Sequence, residues 1–294
     1  MNRSWHPWLA SGAMALSALL TPAARALTPY VYVPPPQELQ GAGLGIAQTA
    51  RQLLRLGQAR EAARLAALSS RLIPSDPRVW ALLAEAQLRS DQLQDARVSL
   101  ARAKELDPDK AAIWFAEAAL ALRSGQPDEA VTLLDEGLSR DANNAGAYFD
   151  LGNARIMQER PQDALAAFEK AASLRADFWE AINNQGLILF EMGQTRQAID
   201  RWRRALTITA NAEPRLALAA ALLQLNGSNR PEARELASEA LGEDPNYVLA
   251  SHQEEQLWGP KLREAARTLL NDPDLKAAVE RAMANADGQP RPAP

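Results

Sequence analysis

Residues 145–178 read AGAYFDLGNARIMQERPQDALAAFEKAASLRADF. Tyr148, Leu151, Gly152 and Arg155 fall at helical spacing and form one stripe of a first helix. Ala164, Leu165, Phe168 and Ala171 form the stripe of a second. Between them Glu159-Arg160-Pro161 turns the chain, and the proline is tolerated because it opens the second helix. The stretch therefore predicts a helix-turn-helix hairpin of 34 residues.

The same unit recurs on both sides. Ala62, Ala96, Ala130, Ala164 and Ala198 stand 34 residues apart, as do Ala50, Ala84, Ala118, Gly152 and Gly186. A third register holds Ser69, Ala103, Gly137, Ala171 and Ala205. Small residues recur where paired helices must approach closely. A sixth unit carries Ala220, Ala233 and Ala240 after one extra residue in the loop 226–230. Gly57, Gly125, Gly193 and Gly227 mark the turns, where a left-handed residue ends the first helix. Pro74, Pro108 and Pro245 mark unit boundaries.

Composition narrows the chemistry. The 294-residue chain has no cysteine, which excludes disulfides, thiolate metal sites, thiol nucleophiles and lipid attachment through cysteine. A net charge of -4 opposes a general nucleic-acid or anionic-membrane binder. The two histidines are His6 and His252, too few for a histidine cluster. His252, beside Gln253-Glu254-Glu255, reads as a surface residue rather than a general base. Gly41-Ala42-Gly43-Leu44-Gly45 lacks the spacing and the strand-turn-helix setting of a phosphate loop and reads as a flexible lead into the first unit. No cofactor, metal or catalytic residue is expected, and the chain reads as a non-enzyme.

The ends have their own logic. Residues 1–26 resemble an export signal: Arg3 near the start, the uncharged run Trp8 to Leu20, and the small-x-small site Ala24-Arg25-Ala26. Thirteen uncharged residues fall short of the roughly 20 that span a bilayer, so cleavage is the first reading and an uncleaved anchor over 8–20 the alternative. Residues 27–42, with Tyr30-Val31-Tyr32-Val33-Pro34-Pro35-Pro36, read as a stiff proline-rich linker or as an extended segment that docks. At the other end Leu262, Ala265, Ala266, Leu269 and Leu270 make one stripe, and Leu275, Ala278, Val279 and Ala282 another. Residues 248–286 are thus expected to be helices capping the open end of the last unit, with Asp272 as a helix cap and 287–294 a disordered tail.

The 34-residue pattern resembles the tetratricopeptide repeat. Its first bulky position holds Ile46, Trp80, Trp114, Tyr148, Ile182 and Leu216. The large position of the second helix holds Ala66, Leu100, Leu134, Phe168, Trp202 and Ala237. The family's tyrosine position departs, holding Leu53, Gln87, Ala121, Arg155, Leu189 and Leu223. The resemblance implies an all-α, right-handed superhelical solenoid of about six units, 43–76, 77–110, 111–144, 145–178, 179–212 and 213–247, whose first helices line a concave groove. It also places the second, fifth, sixth, ninth and thirteenth positions of each unit toward that groove. These include Arg51, Arg78, Glu85, Phe115, Phe149, Asp150, Asn153, Glu180, Asn183 and Asn184, with Arg55, Arg89, Met157, Leu187 and Glu191.

Aromatics and amides centred on units three to five would clamp an extended peptide, the amides pairing with its backbone. Phe115 and Phe149 could equally be core. The two-carboxylate clamp of cytosolic chaperone-binding relatives is disfavoured, because Phe149, Pro214 and Leu218 stand where that clamp needs basic residues. The layout of export signal, proline-rich lead, repeats and helical end is also similar to thylakoid-associated repeat proteins of cyanobacteria and chloroplasts. The expected function is an exported protein-binding scaffold or assembly factor, in a periplasm or thylakoid lumen. The alternatives are a membrane-tethered scaffold, should the first segment be retained, and an accessory factor acting on an envelope polymer.

Overall fold

The computed structural model describes residues 34–225 and 230–286. The signal-like segment, residues 27–33 of the expected linker, Gly227 and the tail 287–294 lie outside these residues. Among the described residues the regular structure is entirely helical. Six antiparallel pairs stack in chain order: α1 (Pro36–Arg55) with α2 (Ala59–Leu72), α3 (Pro77–Arg89) with α4 (Leu93–Leu106), α5 (Ala111–Arg123) with α6 (Pro127–Arg140), α7 (Ala145–Met157) with α8 (Pro161–Leu174), α9 (Trp179–Glu191) with α10 (Thr195–Leu206), and α11 (Ala212–Leu225) with α12 (Arg230–Glu243). The result is a superhelical solenoid in which each pair packs on the next. Short helices α13 (Ala250–Glu255), α14 (Pro260–Leu270) and α15 (Lys276–Asn285) complete it. No described helix is long and apolar enough to cross a membrane.

Each hairpin closes on a pair of positions whose sizes compensate. Where the second helix brings Phe168 or Trp202, the first offers Gly152 or Gly186, and a Cβ there would stand 2.6 Å from the facing ring. Where it brings Leu100 or Leu134, the first offers Ala84 or Ala118. The outermost units pair Ala50 with Ala66 and Ala220 with Ala237. All these side chains are buried, so the 34-residue rhythm of small residues is a rhythm of close packing. Between units, the indoles of Trp80 and Trp114 donate to the carbonyls of Pro74 and Pro108, each at 2.8 Å, tying each new first helix to the loop before it.

The turn inside each of the first five pairs is one device. Gly57, Gly125 and Gly193 take positive φ of 75°, 70° and 78°, as their type favours. Asp91 and Glu159 occupy the same register at 63° and 58°. In every case the next amide donates to the carbonyl five residues back, Gln58 to Leu53 at 2.9 Å and Arg160 to Arg155 at 2.8 Å among them. Asp91 and Glu159 thus accept a left-handed backbone that costs an L-residue about 1 kcal/mol relative to glycine.

The structure corrects the N-terminal boundary. Helix α1 starts at Pro36, so 36–42 are helical rather than linker. A proline bars the interior of a helix but fits its first turn, where its missing N–H would have no partner anyway. Residues 41–45 are consequently no flexible lead; they lie inside α1. Gly43 lets Ile73 approach, and its carbonyl accepts from the buried Ser69 hydroxyl at 2.8 Å.

The C-terminal helices do more than cap the end of the stack. Helix α15 and the turns at Pro245–Val248 and Pro273–Leu275 lie against α12, at the end of the stack. There Asp272 caps the turn by accepting from Asp274 N, and it takes ion pairs from Arg230 and Arg234. Helix α14 instead folds back along the first helices α11 and α9. Leu262, Ala265, Ala266 and Leu269 are buried there in one cluster with Leu187, Ala217, Leu218 and Ala221.

Candidate functional site

The first helices form the inner face of the stack, and along it the candidate residues meet three different fates. Over units one to three the face is open. A cavity of about 860 Å³ spans α1, α3 and α5, and Arg51, Arg78, Glu85 and Phe115 all line it. Its charges differ in freedom. Asp76 caps α3 by accepting from Arg78 N at 2.9 Å and also holds the Arg78 guanidinium, which keeps the Asp76 carboxyl below its usual range. Glu85 pairs with Arg89 at 2.8 Å across one helical turn. Arg51 is exposed and makes no ion pair among the described residues. Phe115 has one side in the cavity and the other against α6, where Gly137 makes room for the ring.

Over unit four the face is half-closed. Phe149 lies between Phe168 at 5.4 Å and Phe178 at 5.0 Å, both rings tilted to it, so its ring belongs to the packing within unit four. Asp150 is half-buried, its carboxylate has no hydrogen bond or ion pair among the described residues, and burial pushes it up to about 6. The Oδ1 atom of Asn153 is buried and without a partner among the same residues. Glu180 and Asn184, on the next first helix, are half-buried.

Over units five and six the face is filled by the chain itself. Asn183, expected to contact a partner, is 1% exposed. It lies under a network in which the Glu213 carboxylate accepts from Trp258 Nε1 at 3.2 Å and from the side chains of Asn183 and Tyr247. Burial pushes the Glu213 carboxyl up; burial and the Glu213 charge push the Tyr247 hydroxyl up. Leu187, Ala217, Leu218 and Ala221, all at groove positions, are covered by α14.

Glu191, the thirteenth position of unit five, caps the incoming helix: its carboxylate accepts from Leu262 N at 2.9 Å and Lys261 N at 3.3 Å. That is the task of an N-cap side chain, which Gly259 lacks, and a Cβ on Gly259 would strike the Glu191 carboxyl. In return Lys261 Nζ donates to the Glu191 carbonyl, satisfying the end of α9. The expected groove at units three to five is therefore shifted toward the N-terminus, because α14 and the Trp258 indole occupy its C-terminal part.

Sequence reasoning missed Glu213, Tyr247 and Trp258. The only signal was the tryptophan in Trp258-Gly259-Pro260, a large ring at a helix start outside any repeat. His252, expected at the surface, is half-buried, with its ring edge-on to Tyr247 at 4.8 Å.

Comparison with known proteins agrees with this architecture. Family models described as tetratricopeptide repeat match residues 44–111, 121–186 and 183–248. No curated protein matches the sequence. Among solved structures, PilF of Pseudomonas aeruginosa superposes with a TM-score of 0.61 at 16% identity, over 79% of this chain and 99% of that one. PilW, described as a widely conserved type IV pilus biogenesis factor, gives 0.56 at 18% identity, over 76% and 97%. A protein of Thermus thermophilus, described as a thermophilic repeat protein of the same kind, gives 0.55 at 19%, over 62% and 100%. At such identities these are likenesses of fold.

Proposed function

The chain belongs to the tetratricopeptide repeat family, and we propose that it is an exported, non-catalytic scaffold that holds an extended segment of a partner protein on the open inner face of units one to four. Repeats of this family serve protein interaction, and members are generally non-catalytic scaffolds. The observation that carries the reading is the contrast along one face. The cavity over α1, α3 and α5 is unfilled, while equivalent positions on α9 and α11 are already covered by α14. A cleft spanning three parallel first helices suits an extended chain better than a small molecule. Free Arg51 and half-exposed Phe115 supply charge and apolar contact in it, and the Asn153 amide, on the next first helix, supplies backbone pairing beyond it.

Export rests on the signal-like pattern of residues 1–26, and an assembly or chaperone-like adaptor outside the cytosol is the role that fits an open groove in such a protein. The test is site-specific photo-crosslinking in the native cell. A photoreactive residue in place of Glu85 should yield partner adducts, and one in place of Val98, exposed on the second helix α4, should not. Adducts from Val98 and none from Glu85 would overturn the assignment. Fractionation tests the location: the mature form should lack residues 1–26 and leave the membrane without detergent.

A further inference from the structure

We propose that Asp150 and Asn153 form a subsite for a basic side chain, lysine or arginine, of the bound partner segment. This deepens the groove reading and rests on it. Most cations around unit four are already engaged. Arg123 donates to the Leu88 carbonyl, Arg140 pairs with Glu136, Arg155 donates to Gln158, Arg160 pairs with Asp163, and Arg175 lies on the Phe178 ring. None of these reaches Asp150. Its carboxylate, in the middle of α7 and half-buried, is left with no donor among the described residues.

Asn153 stands three residues on, so the two side chains share one face of the helix. Its Oδ1 is shut from solvent and also lacks a donor. This stretch of the inner face therefore presents acceptor oxygens and a negative charge with no hydrogen to meet them. An ammonium brings three N–H donors and a guanidinium five, with the charge that Asp150 lacks opposite it. An acidic or apolar side chain would leave the same oxygens unmet. A fold gains nothing from a desolvated, unpaired carboxylate; groups of that kind persist at binding sites, where removing them raises stability.

That last property separates a binding role from a structural one. Wild type and the Asp150→Asn variant are applied to arrayed short synthetic peptides with randomised flanks and a central lysine, arginine, citrulline or glutamate, and both are melted. Wild type should prefer central lysine or arginine over citrulline by roughly tenfold, as one charge-assisted pair allows. Asp150→Asn should lose the preference and melt no lower than wild type; Asp150→Glu, which keeps the charge, should retain it. Peptide binding without preference, or a preference that survives Asp150→Asn, overturns the subsite and leaves the groove standing. If wild type retains no peptide, the groove reading fails and the subsite falls with it.

Discussion

The two halves of the inner face are built from the same repeat positions and put to opposite uses. At units one to three these positions line an open cavity. At units five and six they hold Leu187, Ala217, Leu218 and Ala221, which receive α14 as though it were a ligand. The difference lies in composition. The open half offers Arg51, Arg78 and Glu85, side chains that prefer water until something displaces it; the filled half offers apolar residues that could not stay exposed without aggregating. A groove is thus not a property of the repeat alone. It is what remains where the chain supplies no occupant of its own.

The sharpest way to break the comparison is Leu262→Asp, which places a charge in the filled half. It should cost about 4 kcal/mol or more, since a fully buried side chain would carry an unpaired carboxylate. Hydrogen exchange should show protection lost in α9 to α12 and kept in α1 to α6; uniform loss would mean the halves are one cooperative unit. Asp150→Asn, at the border, should raise stability at pH 7 by about 2 kcal/mol or somewhat less, allowing for partial exposure. The sign follows from a carboxyl whose folded-state value of about 6 exceeds its unfolded one. Wild type is penalised when Asp150 is ionised, so it should gain stability as pH falls from 7 through 6 toward the ordinary carboxylate range, and the variant should gain less. Glu213 acts in the same direction, so the variant's remaining slope should keep that sign.

Smaller still, Glu191→Ala removes the cap of α14 and should cost about 1 kcal/mol, read as a lowered melting temperature. In the open half Arg51→Ala should leave stability within about 0.5 kcal/mol while weakening partner capture in the crosslinking assay. A stability loss there matching that of Glu191→Ala would erase the distinction between the halves.

How much of this the residues reveal depends on repetition. The solenoid is legible because Gly152 against Phe168 and Ala118 against Leu134 solve one packing problem in the same register, and a solution repeated every 34 residues stands out from composition. The start of α1 is harder to read because three prolines suggest an extended chain, whereas the last of them is a favoured first helical residue. The inner face is half legible. Arg51, Arg78, Glu85 and Phe115 do share a cavity, but Asn183 and Glu191 are taken by residues about 30 to 70 positions further on, some of them in a segment that repeats nothing. Spacing within a unit says which way a side chain points; it is silent on which distant segment arrives there. Asp150 shows the same limit, because its isolation follows from where the cations around unit four are spent.

The reciprocal capping between Glu191 and Lys261 has a consequence in time. Most contacts in a stack of hairpins are local, so each unit can form as soon as its own residues and those of its neighbour are available. The link between α9 and α14 spans 70 residues. A chain that emerges from its first residue to its last, at a ribosome or at the far side of a translocation channel, lets the early hairpins settle while the last two still show bare apolar faces. Those faces must wait for Trp258 to Leu270, and the interval before that segment emerges is when this protein is most open to mispairing.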